Sequence, residues 1–281
     1  MPPSDQTASD QTASNHSACD LGRDLRDAYR RDGAVVVRGA FADWVETLRA
    51  GFERNLREPG PFAIENVGQG EAGRFFEDYC NWQRIPEFAD FILHSPAAAI
   101  AGGAMGAGEV QIFHEHILVK EPGTSKPTPW HQDMPYYCVA GEATASYWIP
   151  LDPVTSANTL RVLRGSHLWP KLVRPKRWAS NQDFYASEDD FMDMPAIGDD
   201  DPRILAPELL PGDAVIFNFK TVHGAPGNVG AARRRAFSAR FTGDDVTFLA
   251  RPGRTSPPFP GIDQRDGERL RLDWFPVVWR A

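Results

Sequence analysis

The chain has 281 residues, 42% hydrophobic and 11% aromatic, enough for one large core. No apolar run approaches the roughly 20 residues of a membrane span. A net charge of −8 without a basic block disfavours nucleic acid and anionic membrane surfaces as partners.

Cys19, Cys80 and Cys138 are an odd set with no short spacing, so neither a zinc pattern nor a disulfide framework is present. Free thiols in a reducing cytosol fit best, and the N-terminus lacks the charged start and apolar core of a secretory signal; the expected location is cytoplasmic. Residues 1–18 carry the unit Asp-Gln-Thr-Ala-Ser twice, at 5–9 and 10–14, and no large apolar side chain. Such a stretch cannot offset its ordering entropy, so it reads as a disordered tail, with His16 solvated, ahead of a single domain over 19–281.

Leu21, Leu25, Ala28 and Tyr29 at helical spacing, with Asp20 as cap and Gly33 as stop, predict a first helix. Ala34–Val37 reads as a buried strand. Phe41 to Leu56 reads as an amphipathic helix striped by Trp44, Val45, Leu48, Phe52 and Leu56 and broken by Pro59-Gly60-Pro61. Residues 62–109 read as loops and short helices. Phe75, Phe76, Tyr79 and Trp82 form an aromatic cluster there, packing helices on a sheet, and Phe88, Phe91, Ile92 and Leu93 follow on another helical turn closed by His94.

Val110–Lys120 is the first long strand. Alternation puts His114, His116, Leu118 and Lys120 on one face and Phe113, Glu115, Ile117 and Val119 on the other. His114-x-His116 invites a metal reading, but no nearby carboxylate completes a site, and a polar face looking into a cavity is preferred. A Pro/Gly turn then leads into Pro129-Trp130-His131-Gln132-Asp133. If this stretch is extended, His131 and Asp133 share a face and make two legs of a two-histidine, one-carboxylate facial triad, a set that leaves open positions on non-haem Fe(II). His-x-Asp alone is common, so the remaining chain must supply a third ligand.

Glu142–Leu151 alternates toward Ala145, Tyr147 and Ile149, and Arg161–Leu163 is a strand ending in the turn Arg164-Gly165-Ser166-His167. Residues 171–207 are polar, acidic and interrupted by proline, the length of a lid or binding loop, or of a surface insertion without a role. The turn Leu210-Pro211-Gly212-Asp213 launches a strand over Ala214–Phe219, and Thr221-Val222-His223-Gly224 follows. Gly224 lets backbone pass close beside His223. Arg233-Arg234-Arg235 leads into a strand over Ala236–Phe241, and Trp274–Trp279 closes the chain on the core edge. Strands dominate after residue 109 and helices before it: a mainly β chain with flanking helices, in whose antiparallel double sheet distant strands become neighbours. An arginine entering the strand after His223 can grip a carboxylate through two parallel hydrogen bonds, so metal ligands plus a buried arginine describe a metal site with a dicarboxylate cosubstrate.

Leu118-Val119-Lys120-Glu121-Pro122-Gly123, Pro129-Trp130-His131-Gln132-Asp133, Gly165-Ser166-His167, His223-Gly224-Ala225 and Arg234, in that order and spacing, resemble the phytanoyl-CoA dioxygenase family over residues 20–281. The resemblance implies a double-stranded β-helix core of the jelly-roll, cupin-like kind. It implies Fe(II) on His131, Asp133 and His223, and 2-oxoglutarate with its distal carboxylate on Arg234. With dioxygen as oxidant, such an enzyme hydroxylates an unactivated C–H bond of a small molecule and releases succinate and CO2. Arg233 and Arg235 are the rivals of Arg234: alternation groups them against it, and the family's spacing from the distal histidine favours Arg234. His116, Lys120 and Trp148 match positions near the cosubstrate.

Two departures stand out: Asn158-Thr159 where relatives usually have Asn-Gly, and Arg164 where many have proline before Gly-Ser-His. Neither touches the triad, and His167 reads as structural. Tyr136 and Tyr137 are expected on the substrate side. Without a basic groove for coenzyme A, a small metabolite is favoured over an acyl-CoA, the family's alternative. A redox-inactive cupin-like module has no use for Arg234, and a zinc-type hydrolase on the same triad would work without oxygen or 2-oxoglutarate. The oligomeric state is not readable from the sequence.

Overall fold

A computed structural model describes residues 22–66, 73–177, 181–185, 190–228 and 230–281. The tail over 1–18, Cys19, and the expected cap and first turn at Asp20 and Leu21 lie outside these residues. Residues 22–32 form helix α1, which ends at Gly33 with φ +72°. A side chain at Gly33 would collide with the His167 imidazole and the Thr221 hydroxyl, so His167 is part of this structural junction. After β1 (Ala34–Val37), a 3-10 turn over Ala42–Trp44 precedes α2 (Val45–Arg57), whose Val45, Leu48 and Phe52 are buried as their spacing requires.

The segment from 62 to 109 departs from expectation. It contains the strands β2 (Ile64–Asn66) and β3 (Phe75–Tyr79) before α3 (Pro86–His94) and α4 (Ala97–Met105). The aromatic cluster is therefore partly a strand. Adjacent Glu77 and Asp78 are both buried, which hides the two-residue period that would have marked it. Phe76 joins the helix-covered core and Asp78 accepts a hydrogen bond from Asn55 of α2, while Glu77 and Tyr79 face the cavity on the other side.

The remaining strands are β4 (Glu109–Lys120), β5 (Thr128–His131), β6 (Val139–Ala140), β7 (Thr144–Pro150), β8 (Arg161–Leu163), β9 (Ile204–Leu205), β10 (Ala214–Phe217), β11 (His223–Ala225), β12 (Arg234–Thr242), β13 (Thr247–Phe248) and β14 (Val277–Arg280). The large sheet runs β1-β10-β7-β12-β4-β3-β2, with β14 on the end of β4; the smaller runs β5-β11-β8-β9; β13 and β6 pair separately. Tyr147, Ile149, Ile117, Val119, Phe237, Ala239 and Phe241 face the helices. Trp148, Val215, Phe217 and Ala236 face the small sheet, where they meet Val162 and Leu205. Two sheets packed face to face, with helices on the outer face of the larger, form the jelly-roll expected of the chain.

Two local findings matter for the site. A bulge between Arg240 and Phe241 shifts the register with β4, and Phe113 packs with Tyr137, Phe219 and Phe275 instead of with Ile117 and Val119. The strand expected through Phe219 stops at Phe217, and Asn218 caps the Glu142 carbonyl at 2.9 Å. Among the described residues no helix is long and apolar enough to cross a membrane.

Candidate active site

β5 ends at His131, so the extended geometry expected for Asp133 does not hold. Asp133 has helical dihedrals (φ −74°, ψ −43°) and opens a 3-10 turn over Met134–Tyr136. His131 and Asp133 still converge, because the turn folds the carboxylate back beneath the imidazole: His131 Nε2 lies 3.6 Å from Asp133 Oδ1. The third member arrives by strand pairing. β11 lies antiparallel to β5 with His223 directly opposite His131, and His223 Nε2 is 3.8 Å from the same Oδ1. A Cβ at Gly224 would press on the Thr128 carbonyl at 2.9 Å, so this glycine is what allows the two strands to approach.

The ligand atoms are pre-set by hydrogen bonds. His131 Nδ1 is 2.8 Å from the Pro129 carbonyl and His223 Nδ1 is 3.0 Å from that of Thr221. Carbonyls only accept, so both Nδ1 atoms carry the proton and both Nε2 lone pairs face Asp133. Burial, then the neighbouring His131, pushes the His223 imidazole down to about 3, keeping it neutral. Burial alone would raise the Asp133 carboxyl, but the Arg240 guanidinium beside it holds it well below the usual carboxylate range. Its Oδ2 accepts from Ser146 Oγ at 2.9 Å and Arg240 Nε at 3.2 Å, leaving Oδ1 to the histidines. Ser146 and Arg240 are cross-strand partners on β7 and β12. Among the described residues, His131, Asp133 and His223 are the group able to hold a metal ion, with ligand atoms within 4.8 Å of one another. Two imidazole nitrogens and one carboxylate oxygen on one side suit a divalent iron site with open positions.

Further along the inner face, Arg234 on β12 sits opposite Lys120 on β4. Arg234 donates to the Asn158 carbonyl and, at 3.0 Å, to that of Pro226, which Lys120 Nζ also reaches at 3.1 Å. The loop that departs from the family pattern at Asn158-Thr159 thus holds the arginine. Burial pushes Lys120 down to about 6, with the Arg234 charge adding to it, and pushes Arg234 to about 10. Neither forms an ion pair with a carboxylate of a described residue. By contrast Arg233 pairs with Glu121 and Glu53, and Arg235 with Asp152 and Glu53, on the outer side. Trp148 lies on the inner face beside Phe217, whose ring is 4.4 Å from that of His223. Pro226 is three residues past His223, so roughly 10 Å of chain separates Arg234 and Lys120 from His223.

A cavity of about 360 Å³ opens beside the triad and is lined by His131 and Asp133, by His116, and by Tyr136 and Tyr137 as expected. Arg234, Lys120 and Trp148 do not line it. His94 is exposed on Asp90, away from the site. The segment after residue 171 contributes Lys176, Arg177 and Phe184 to the wall. It is pinned there by Gln132, whose Oε1 accepts from Val173 N at 2.7 Å, and by the Tyr136 hydroxyl, which donates to the Lys176 carbonyl at 2.8 Å. Sequence reasoning missed Glu77, Ser146 and Arg240. Only the inward parity of Arg240 with Arg234 could have signalled the last of these.

Comparison with known proteins bears on the fold and the family. A search of curated proteins finds no significant match. Among solved structures, the non-heme alpha ketoglutarate dependent epimerase SnoN from nogalamycin biosynthesis superimposes with a TM-score of 0.71 at 22% identity, covering 92% of this chain and 99% of its own. The carbocyclase SnoK from the same biosynthesis gives 0.68 at 25% identity, over 91% and 96%. EctD from S. alaskensis, solved with 2-oxoglutarate and 5-hydroxyectoine, gives 0.62 at 20% identity, over 88% and 84%. The model of one family, Phytanoyl-CoA dioxygenase (PhyH), matches residues 29–236, a span that holds all three triad residues and Arg234, and the chain belongs to that family of oxygenases.

Proposed function

We propose that the protein is an Fe(II)- and 2-oxoglutarate-dependent oxygenase that hydroxylates a C–H bond of a small metabolite. The observation that carries this reading is the convergence of two proton-free Nε2 atoms and the less-bonded oxygen of Asp133. His131, Asp133 and His223 would hold the iron. Arg234, a buried cation with no ion-paired acid among the described residues, would take the distal carboxylate of 2-oxoglutarate, with Lys120 donating from the opposite strand, Trp148 as a wall and His116 at the edge of the cavity. When bound, iron would let dioxygen act as the oxidant, with 2-oxoglutarate as the co-reductant that leaves as succinate and CO2. The protein's own part is to keep the His223 imidazole neutral, to orient the carboxylate through Ser146 and Arg240, and to close the site with residues 171–177. The crystal of EctD with 2-oxoglutarate and 5-hydroxyectoine and the crystal of SnoN with Fe3+ and alpha ketoglutarate support this reading. Because a carboxylate occupies the third leg, chloride has no reserved place on the metal, which favours hydroxylation over halogenation.

The test is succinate formation from 2-oxoglutarate under air, with and without Fe(II), in the wild type and in His131→Ala and His223→Ala. Iron-dependent succinate lost in both variants is expected. Iron bound without decarboxylation would return the protein to a cupin-like binding module, and hydrolysis under nitrogen would make it a hydrolase.

A further inference from the structure

We propose that the cavity beside the triad is built for a neutral, polyhydroxylated ring, selected by Glu77 and His114; this deepens the oxygenase reading and rests on it. Both side chains are buried, both line the cavity, and each presents a polar atom without a hydrogen-bond partner: Glu77 Oε2 and His114 Nε2. Glu77 is held by its other oxygen, which accepts from Asn66 Nδ2 at 3.2 Å. His114 Nδ1 lies 3.2 Å from the Glu115 carbonyl and so carries its proton, which makes Nε2 an acceptor. Between them stands His116, with Nε2 at 3.4 Å from Glu77 Oε2 but outside hydrogen-bond geometry. Two unpartnered acceptors on side chains that line one cavity ask for donors on the ligand, reached by a small turn of either side chain, since a buried polar group left unpaired is destabilising.

Charge narrows the class. Arg240, Arg177 and Lys176 line the same space, and Arg240 is the cross-strand neighbour of His114. Arg240 is paired with Asp133 and Lys176 with Asp183, so the wall is close to balanced: an ammonium group would face Arg177 beside the two paired cations, whereas an anion would face Glu77, Asp133 and the lone pair of His114. A hydroxyl group donates to the acceptors and accepts from the guanidinium groups, so adjacent hydroxyls match a wall on which the two kinds alternate. The apolar parts fit as well. Tyr79, Tyr137 and Phe184 supply aromatic surface, which suits the C–H faces of a ring whose edges carry the hydroxyls. The volume of about 360 Å³ lies at the lower end of the roughly 300–1,000 Å³ of small-molecule sites, enough for one ring with a substituent.

The experiment is calorimetry on the full chain loaded with Fe(II) and 2-oxoglutarate under nitrogen. Phenyl β-D-glucopyranoside and myo-inositol represent the pyranoside and carbocyclic sources of the same chemistry; phenyltrimethylammonium and phenyl phosphate carry the opposite charges. At least one neutral probe should bind tenfold or more tightly than either charged one, and which of the two does so identifies the source. Glu77→Gln should weaken that binding roughly tenfold, the loss expected for a hydrogen bond to a charged group. Glu77→Ala serves if the first variant unfolds. Equal or tighter binding of a charged probe, no binding of either neutral probe, or a neutral probe indifferent to Glu77 overturns the proposal. Failure of the oxygenase reading would appear elsewhere, as absent iron-dependent succinate, and leaves the ranking of probes to be read on its own.

Discussion

Asp133 divides its work between its two oxygens. Oδ1 faces the two Nε2 atoms while Oδ2 is held by Ser146 and Arg240. Partners that orient a ligand commonly change metal affinity by about 10–100-fold when removed. We therefore predict that Arg240→Ala weakens Fe(II) binding by about that factor, with partial recovery in Arg240→Lys and an unchanged far-UV spectrum; unaltered iron affinity in the alanine variant would sink the idea. Arg234 makes a different demand. Lysine keeps its charge but loses the two-point fork, so Arg234→Lys should raise the 2-oxoglutarate requirement about tenfold or more while iron affinity stays put. Arg233→Lys and Arg235→Lys should leave both unchanged, because these arginines already hold Glu121 and Asp152; titration of succinate release against each ligand separates the three.

β4 shows how one strand serves two interiors. Its inner face carries His114 and His116 to the cavity, while Glu115 is buried on the other side, with Oε1 accepting from the Asn81 amide. Burial raises the Glu115 carboxyl from 4.5 to about 8. Between those values the unfolded chain has released this proton and the folded chain retains it, so wild-type stability falls as pH rises from about 4.5 to 8. Glutamine mimics the protonated acid and has no proton to lose. Glu115→Gln should match the wild type near pH 5 and exceed it at pH 8 by on the order of a few kcal/mol, read by urea denaturation at both pH values; a constant difference would refute it.

The same strand marks what the sequence could tell. Its alternation was legible because apolar and polar residues take turns, and His131, His223 and Arg234 were legible because metal and carboxylate chemistry restricts the residue types. Phe75–Tyr79 was not legible as a strand, since burial on both faces erases the period. Asp133 reached its place through a turn that alternation cannot express. Ser146, Glu77 and Arg240 were hidden for another reason: a serine, a glutamate or an arginine gains its meaning here only from cross-strand register, which local sequence does not encode.

At the scale of the whole molecule, the large sheet has helices on one face and the site on the other, so the helical layer stiffens the strands that aim the site. Phe237 is the centre of that contact, fully buried with ring centroids 5.0 Å from Phe88 and 5.3 Å from Phe91. Phe237→Ala should cost about 3–5 kcal/mol in denaturant unfolding. A loss under 1 kcal/mol would mean that the layer repacks freely. An epimerase, a carbocyclase and the ectoine protein EctD share this architecture, so reaction choice resides in cavity walls and not in the fold. The pairing of β11 with β5 also has a meaning in time. It joins His223 to His131 across a long intervening chain, and contacts of such separation close late, after local helices and hairpins. A ribosome releases β5 well before β11, so a nascent chain holds two of the proposed ligands and cannot complete the third until most of the protein has emerged. On that proposal, iron loading is expected as a final maturation event. In refolding followed with Co(II), helical circular dichroism should return before the cobalt absorption band, and simultaneous recovery would place the site in the early nucleus.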